Sequence, residues 1–421
     1  MNWARSPAVA RAPATSANLG PGFDAFGLAL GLHDQVEAGV TGGGLTVQVD
    51  GEGEETASAG ERHLVVRAMR AAFDTMGGQP AGLALRCTNG IPHGRGLGSS
   101  AAAVVSGVLA ARALVADGAD LLPDAEVLRL AVDLEGHPDN VAACLAGGLT
   151  VAWHPSVPDG CPDSVAGVRP AVPEDTGSWA GVVPGADGIR GERPAARPVR
   201  LLRFDVLTGI TTVACIAPGA MATHEARAAL PGSVPHADAA ANAARSALLL
   251  AALTSDPSVL FDATEDYLHQ RYRAAAMPAT ADLLARLRRA GVAAVMSGAG
   301  PSVLALGRAD DGHGRADAEP GLVDARLGPA DGRPGLAIVD SIARETGIAW
   351  RVTPLKVDRQ GATVQPRRTA EPPPEAAWLG RSTNQDPEPG VHPAGGSTQG
   401  RATNPATHGP QSKECRGLLW C

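Results

Sequence analysis

The stretch "GRGLGSSAAAVVSG" (residues 94–107) has three glycines at every second position, then two serines and a run of small apolar residues. Glycine lets a backbone turn tightly and approach a ligand without side-chain hindrance. Ser99 and Ser100 begin a helix-forming segment that we expect to continue to Gly118. The stretch therefore predicts a loop leading into a helix N-terminus, whose free N–H groups and dipole favour an anion such as a polyphosphate. A tight turn before a buried helix is the alternative.

The lysine content limits how this loop can bind phosphate. The chain has 421 residues, a net charge of −8 and only two lysines, Lys356 and Lys413. The loop therefore lacks a Walker A lysine, and no lysine in residues 1–350 can form a Schiff base. Phosphate must be met by backbone N–H groups, arginine or a metal. Glu135, with Asp139 as a second candidate, supplies the carboxylate that Mg²⁺ would need.

The composition argues against several other classes of protein. No basic run is interleaved with aromatic residues, which argues against a nucleic acid partner. The six cysteines include no CxxC pair, so the sequence predicts neither a zinc site nor a disulfide framework. The longest apolar run, residues 247–253, is too short to cross a bilayer, and the N-terminal residues lack the apolar core of a signal peptide. We therefore expect a cytoplasmic protein without a membrane partner.

Apolar periodicity predicts secondary structure through most of the chain. The predicted strands are residues 45–51, 81–92, 199–207, 211–219 and 348–357, with a strand–turn–strand unit in 292–307, and the predicted helices are 61–77, 99–118, 123–136, 237–253 and 281–290. Two stretches rich in Pro, Gly and Asp interrupt this pattern: residues 155–198, which we expect to form a mobile insertion, and residues 310–335. Residues 366–421 lack apolar periodicity and predict a disordered tail.

Four motifs follow one another along the chain: "APATSANLGPGFDAFGLAL" (12–30), "PHGRGLGSSAAAVVSG" (92–107), "EGHPDNVAACLAGGL" (135–149) and "SGAGPSVLAL" (297–306). Together they resemble the homoserine kinases of the GHMP kinase superfamily over most of residues 8–364. The resemblance implies an α+β, two-domain GHMP kinase fold with an N-terminal ribosomal-protein-like βαβ domain and a C-terminal ferredoxin-like sandwich. The ATP-binding domain would span residues 1–200 and the C-terminal GHMP kinase domain residues 201–365, with the site in the cleft between them.

The resemblance also implies an activity, which is phosphoryl transfer from MgATP to the hydroxyl of L-homoserine. The product, O-phospho-L-homoserine, enters threonine biosynthesis. The implied cofactors are ATP and Mg²⁺, and the implied assembly is a homodimer, since family members often form dimers. The alternatives are another small-molecule GHMP kinase, acting on a mevalonate-like acid or a sugar, and a non-catalytic nucleotide-binding homologue. Intact Ser100 and Glu135 argue against the second alternative.

The site residues carried over from the resemblance fall into three groups. The residues implied to bind ATP are Pro92, His93, Gly94, Arg95, Gly96, Leu97, Gly98, Ser99, Ser100, Ala101 and Ala102, and those implied to hold Mg²⁺ are Ser100 and Glu135. The residues implied to bind homoserine are Asn18, Asp24, His137, Asp139, Thr223, Arg227 and Arg273, of which Asn18 and Asp24 join Glu135 as implied catalytic residues. The "SGAGPS" segment is implied to pack beside the phosphate loop.

The same residues also have ordinary structural interpretations. Asn18 and Asp24 are common turn residues, His137 to Asn140 would form a turn after a helix, and an arginine on a helix is usually solvated. The resemblance favours the functional interpretation, since aspartate suits an ammonium group and a guanidinium binds a carboxylate through paired N–H bonds. No general base is assigned, because an Asp24 that held the substrate ammonium would be poorly placed to accept the hydroxyl proton.

Overall fold

The computed structural model describes residues 1–155, 198–310, 326–329 and 333–367. The strands in these ranges are β1 (Ala8–Ala17), β2 (Phe26–Thr41), β3 (Gly44–Gly51), β4 (Gly82–Asn89), β5 (Leu149–Trp153), β6 (Arg200–Phe204), β7 (Ile210–Ile216), β8 (Ala293–Met296), β9 (Val303–Asp310), β10 (Arg326–Pro329), β11 (Arg351–Leu355) and β12 (Thr363–Pro366). The α-helices are α1 (Leu64–Met76), α2 (Ser99–Ala113), α3 (Gly118–Leu121), α4 (Asp124–Glu135), α5 (Pro138–Ala146), α6 (Thr223–Ala228), α7 (His236–Thr254), α8 (Leu260–Ala263), α9 (Gln270–Arg273), α10 (Pro278–Arg289) and α11 (Arg333–Glu345).

Within the described residues the first sheet has seven strands, in the order β12-β1-β2-β4-β3, with β5 pairing to β2 and β6 pairing to β5. Strands β3 and β4 are parallel, and α1 connects them, so the three elements form a βαβ unit. The inner face of α1 is apolar and buried through Val66, Met69 and Phe73. Gly77 ends this helix in the left-handed conformation (φ 98°), as the sequence predicted.

Helix α2 is the central helix of this layer, packed against α1, β1, β2, α4 and α5. Small residues allow this close packing: a Cβ on Gly107 would lie 2.7 Å from the carbonyl oxygen of Val65. The predicted start at Ser99 is confirmed, whereas the predicted end at Gly118 is wrong. The helix ends at Ala113 because the backbone beyond it bonds to the N-terminal segment, including Ala4 N–H to Leu114 O at 2.8 Å.

The second sheet has the order β10-β9-β7-β11, with β8 pairing to β9. Successive residues of each strand point to opposite faces of this sheet, and both faces are buried. On one face, Val303 and Ala305 pack with Leu287 of α10 and Val339 of α11. On the other face, Leu304 belongs to the main core, which also includes residues of the first sheet. Two helices on one face of a mainly antiparallel sheet match the predicted ferredoxin-like sandwich, so the α+β fold class is confirmed.

Several elements lie where none was predicted. The "HPDN" segment begins a helix and does not form the turn of its ordinary structural interpretation: His137 precedes α5, and Pro138 occupies its first turn. Strand β12 follows the predicted last strand and pairs with β1, and α11 begins inside the predicted interruption at 310–335.

Other predictions remain untested by the structure. Residues 156–197 of the predicted insertion and the tail beyond Arg367 lie outside the described residues. The division into domains at residues 200 and 365 stays a prediction. Among the described helices, none is long and apolar enough to span a membrane.

Candidate active site

The phosphate loop, residues 90–98, connects β4 to α2 and is anchored at its start by a buried carboxylate. Asp34, 4% exposed, accepts hydrogen bonds from Gly90 N–H at 2.8 Å and Ile91 N–H at 2.9 Å. Burial raises the pKa of Asp34 to about 6, against the opposing effect of these two bonds. The strand end and the loop are thereby held in one fixed geometry.

The three glycines of the loop are required by its backbone. Gly94, Gly96 and Gly98 all have positive φ angles, of 65°, 70° and 70°. A Cβ on Gly98 would lie 1.9 Å from Thr15 Oγ1, and one on Gly96 would lie 2.2 Å from Ser297 O. Side chains at these two positions would push the loop away from β1 and from residues 297–302.

The loop ends in an open helix N-terminus. Gly98 precedes α2, and no side chain of the described residues caps the first turn. The N–H groups of this turn and the positive end of the helix dipole therefore remain available to an anion. Ser297 Oγ supports the loop from the second sheet by donating to Gly96 O at 2.7 Å.

Arg95 and His93 contact protein groups beside the loop. Arg95 donates to Ala217 O and Pro218 O, each at 2.8 Å, so its guanidinium faces the end of β7. The ring of His93 lies against Gly53, where a Cβ would be 2.1 Å from its Cε1 atom. Burial lowers the pKa of His93. These two side chains are thus occupied by protein groups, whereas within the described residues the N–H groups at the end of the loop are not.

The candidate metal ligands, Ser100 and Glu135, are in direct contact. Ser100 Oγ donates to Glu135 Oε1 at 2.5 Å, which joins the first turn of α2 to the last residue of α4. Burial raises the pKa of Glu135, while the Ser100 bond and the nearby His137 oppose this effect. A cation placed here would offset the cost of burying the carboxylate.

His137 and Asp139 lie beside Glu135 at the start of α5. His137 Nδ1 is 3.1 Å from Asp139 Oδ1 without forming a hydrogen bond, and this contact becomes an ion pair when the imidazole is protonated. Asp139 raises the pKa of His137, against the opposing effect of burial. Asp139 is itself buried, and its Oδ1 accepts from Asn140 N–H at 2.7 Å. Three polar groups therefore converge next to the open end of α2.

The turn from Asn18 to Asp24 is strained and internally bonded. Asn18, Leu19 and Asp24 all have positive φ angles (66°, 49° and 55°), which non-glycine residues rarely adopt. Asn18 Nδ2 donates to Gly298 O at 2.8 Å, and Asn18 Oδ1 accepts from Asp24 N–H at 2.9 Å. Such strain is typical of functional turns that their surroundings hold in place.

Asp24 and Arg227 form a bidentate ion pair, although they are 203 residues apart. Arg227 Nη1 lies 2.9 Å from Asp24 Oδ2, and Nη2 lies 2.8 Å from Oδ1. Both side chains are partly exposed, and the bond to Asp24 raises the pKa of Arg227. The guanidinium of Arg227 also lies 5.8 Å from the centroid of the Phe23 ring. Asp24, which the resemblance assigns to the substrate ammonium, and Arg227, which it assigns to the substrate carboxylate, thus bond to each other here.

Arg273 is a buried cation, 2% exposed, with no carboxylate partner among the described residues. Nε donates to Ala226 O at 3.2 Å, and Nη1 donates to His269 Nδ1 at 3.0 Å and to Gly298 O at 3.3 Å. The described part of the chain offers Nη2 no hydrogen-bond partner. Burial lowers the pKa of Arg273, so an anionic ligand would be favourable beside it.

Thr223 is more peripheral than the other sequence-predicted residues. It is exposed at the first position of α6, the six-residue helix that also carries Arg227.

Sequence reasoning missed several residues that shape this site. Thr15 Oγ1 donates to Asn140 Oδ1 at 2.7 Å beside Gly98, and Ser16 Oγ lies within hydrogen-bond distance, 2.9 Å, of Ser297 Oγ. His269 contacts Arg273 from a fully buried position. Thr15 and Asn140 lie inside the motifs quoted above, so their positions carried a signal. The only sequence signal for His269 is its position four residues before Arg273.

Comparison with known proteins shows the family to which this chain belongs. Residues 63–148 match the GHMP kinases N terminal domain, and residues 239–318 match the GHMP kinases C terminal domain. A homoserine kinase from Streptomyces coelicolor is 45% identical over 361 residues, covering 86% of this chain and 95% of that protein. The chain belongs to the homoserine kinase family of the GHMP kinases. A second homoserine kinase, from Mycobacterium tuberculosis, is 45% identical over 295 residues, covering 70% of this chain and 82% of that protein.

Solved structures of other proteins share the fold. The homoserine kinase of Cytophaga hutchinsonii superposes with a TM-score of 0.61 at 22% identity, covering 87% of this chain and 99% of that chain. The mevalonate diphosphate decarboxylase of Staphylococcus aureus superposes with a TM-score of 0.51 at 12% identity, covering 86% and 98%.

The donor set of this GHMP kinase site fits a magnesium ion that arrives with a nucleotide. Within the described residues, no cluster of three or more His, Cys, Asp or Glu side chains could hold a metal ion alone. Mg²⁺ is usually held by one or two carboxylates together with substrate phosphates and water. Glu135 and Ser100, at the open N-terminus of α2, supply such a partial ligand set.

Proposed function

We propose that this chain is a homoserine kinase that transfers the γ-phosphoryl group of ATP to the side-chain hydroxyl of L-homoserine. The observation that carries the proposal is Arg273, a buried guanidinium without a carboxylate partner in the part of the chain that the structure describes. A carboxylate is the group that a guanidinium binds best, because it accepts two parallel N–H bonds. Family membership supports the same reaction, since the named relatives are homoserine kinases. The product would serve threonine biosynthesis.

The phosphate loop and α2 are proposed to bind the triphosphate through backbone N–H groups. Ser100 and Glu135 would hold Mg²⁺, which when bound neutralises charge on the transferring phosphoryl group. The short contact between these two side chains supports the assignment. Because the loop itself contains no lysine, the metal and the backbone N–H groups would supply most of the positive charge there.

The amino acid is proposed to bind between the Asn18–Asp24 turn and the two arginines. Its carboxylate would face Arg273 and Arg227, and its ammonium would face Asp24. In the structure Arg227 and Asp24 bond to each other. When the zwitterion binds, its carboxylate can take the place of Asp24 beside Arg227, and its ammonium can take the place of Arg227 beside Asp24. Positioning of this kind supplies much of the catalysis in phosphoryl transfer.

We assign no general base. Both carboxylate oxygens of Asp24 accept hydrogen bonds from Arg227, so Asp24 is committed to a cation. His137 and Asp139 are proposed to line the substrate site next to Glu135. The homodimer and the cytoplasmic location remain predictions from the family resemblance and the composition.

A coupled assay of ADP release tests the function. We expect turnover with L-homoserine and none with mevalonate or galactose, the substrates of the alternative GHMP kinases. Turnover with neither homoserine nor the alternatives would favour a non-catalytic homologue.

The role of Arg273 is tested by Arg273→Lys, which keeps the charge but loses the planar fork. We expect KM for homoserine to rise about 10- to 150-fold, corresponding to the roughly 1.5–3 kcal/mol of a charge-assisted bond. The matched control is Arg129→Lys on the surface of α4, where Arg129 pairs with Glu126 and Asp133. 3-Aminopropanol, which lacks the carboxylate, should be used equally by wild type and variant. An equal loss on this probe would overturn the assignment.

A further inference from the structure

Three acceptors in the described part of the chain orient Arg273, and one of them is a side chain. Two are the backbone carbonyl groups of Ala226 and Gly298. The third is Nδ1 of His269, which lies 3.0 Å from Arg273 Nη1 and is four residues away along the chain. His269 is 0% exposed, so this contact is shielded from solvent.

The contacts of His269 fix its tautomer. A guanidinium only donates, so Nδ1 must be the acceptor and the ring hydrogen must lie on Nε2. Nε2 then donates to Gly20 O at 2.9 Å. Asp266 is the nearest carboxylate, with Oδ2 3.7 Å from Nε2, and it accepts from the backbone N–H groups of residues 269 and 270. Burial lowers the pKa of His269, in agreement with a neutral ring.

The two ring nitrogens connect two parts of the candidate site. Gly20 belongs to the strained turn between Asn18 and Asp24, and Arg273 ends α9. The ring also stacks on Phe23 of the same turn, with the ring centroids 5.2 Å apart. A neutral His269 therefore holds the turn and the buried arginine in a single relative position.

We propose that His269 is a positioning residue for substrate recognition: by accepting from Arg273 it aims the guanidinium at the substrate carboxylate, while the bond to Gly20 O keeps the ring hydrogen on Nε2. This inference rests on the proposed function, because it requires Arg273 to read that carboxylate. His269 touches neither substrate in this scheme and acts through Arg273 alone.

Two amide substitutions separate the two ends of the ring. In His269→Asn, the amide oxygen takes the place of Nδ1 and can accept from Arg273. In His269→Gln, the longer side chain takes the place of Nε2 and can donate to Gly20 O. We expect KM for homoserine to rise about 10-fold or more in the glutamine variant and to stay within about three-fold of wild type in the asparagine variant. KM for ATP and the use of 3-aminopropanol should change little in either variant.

A buried variant distant from Arg273 controls for loss of stability. Thr212→Val removes the buried bond from Thr212 Oγ1 to Leu355 O, 2.6 Å long, in the second sheet. It should lower the melting temperature without changing KM for homoserine. If asparagine and glutamine raise KM for homoserine equally, or if kcat and both KM values change together in step with the melting temperature, His269 does not position Arg273. Should the glutamine variant fail to fold, a high KM for homoserine in the asparagine variant would still overturn the proposal. Absence of homoserine turnover in the wild type would instead refute the proposed function.

Discussion

Replacing Asp34 by asparagine should change how stability depends on pH. Burial raises the pKa of Asp34 to about 6, compared with about 3.9 for an aspartate in an unfolded chain. A difference of about two units corresponds to about 3 kcal/mol. Because the folded pKa is the higher one, the contribution of Asp34 to stability is fully present below about pH 4 and is lost as the pH rises through 6.

The Asp34→Asn variant should keep the anchor of the phosphate loop but lose this pH dependence. Its amide oxygen can accept from Gly90 and Ile91, whereas the amide carries no charge at any pH. We therefore expect the free energy of unfolding of wild type, relative to Asp34→Asn, to fall by about 3 kcal/mol between about pH 4 and about pH 8. Homoserine kinase activity at neutral pH should stay within a few-fold of wild type.

Urea unfolding of both proteins across this pH range measures the difference. Asp50→Asn is the matched control, since Asp50 is an exposed carboxylate on β3 that pairs with Arg86. Its effect should stay below about 1 kcal/mol across the range. A wild type that gains stability relative to Asp34→Asn as the pH rises would refute the reasoning. It would mean that the two backbone N–H bonds outweigh desolvation and keep Asp34 ionised.

Three further substitutions test the proposed site. Glu135→Gln should lower kcat about 100-fold or more at saturating Mg²⁺, since it removes the carboxylate proposed for the metal, whereas Glu126→Gln on the exposed side of α4 should not; equal kcat values would exclude the metal assignment. Gly98→Ala should raise KM for ATP about 10-fold or more, because the new Cβ would lie 1.9 Å from Thr15 Oγ1. Gly44→Ala controls for backbone strain alone, since Gly44 has a similar φ angle of 77° and no described atom lies within 4 Å of the position of the new Cβ. Arg227→Lys should raise KM for homoserine by less than Arg273→Lys does, because Arg227 is partly exposed; steady-state kinetics that rank the two variants in the opposite order would contradict this.

The local features of the fold could be predicted from sequence because they depend on neighbouring residues. The glycine loop, the start of α2 at Ser99 and the end of α1 at Gly77 all follow from backbone preferences of a few adjacent residues. The start of α5 carried the same kind of signal, since proline is favoured in a first helical turn, although no helix was predicted there.

Features that depend on distant partners could not be predicted in the same way. Helix α2 stops early because residues 2–4 bond to its C-terminal end, and β12 forms because β1 offers a free edge. The Asp24–Arg227 pair joins residues with no pattern in common, and a lone buried histidine at 269 has no sequence signal of its tautomer. Motif resemblance named most of the site residues, but only the three-dimensional structure showed which of them bond to one another.

The scarcity of lysine around the phosphate loop has a practical consequence for chemical labelling. Amine-reactive reagents acylate lysine side chains, and in this chain those are Lys356 and Lys413. Lys356 is exposed just after β11, and its carbonyl oxygen accepts from Gly31 N–H on β2. A fluorophore or a surface linker attached at Lys356 would leave every side chain of the proposed nucleotide and amino acid sites unmodified. The enzyme can thus be tethered through its lysine side chains while the backbone proposed to bind phosphate stays chemically untouched.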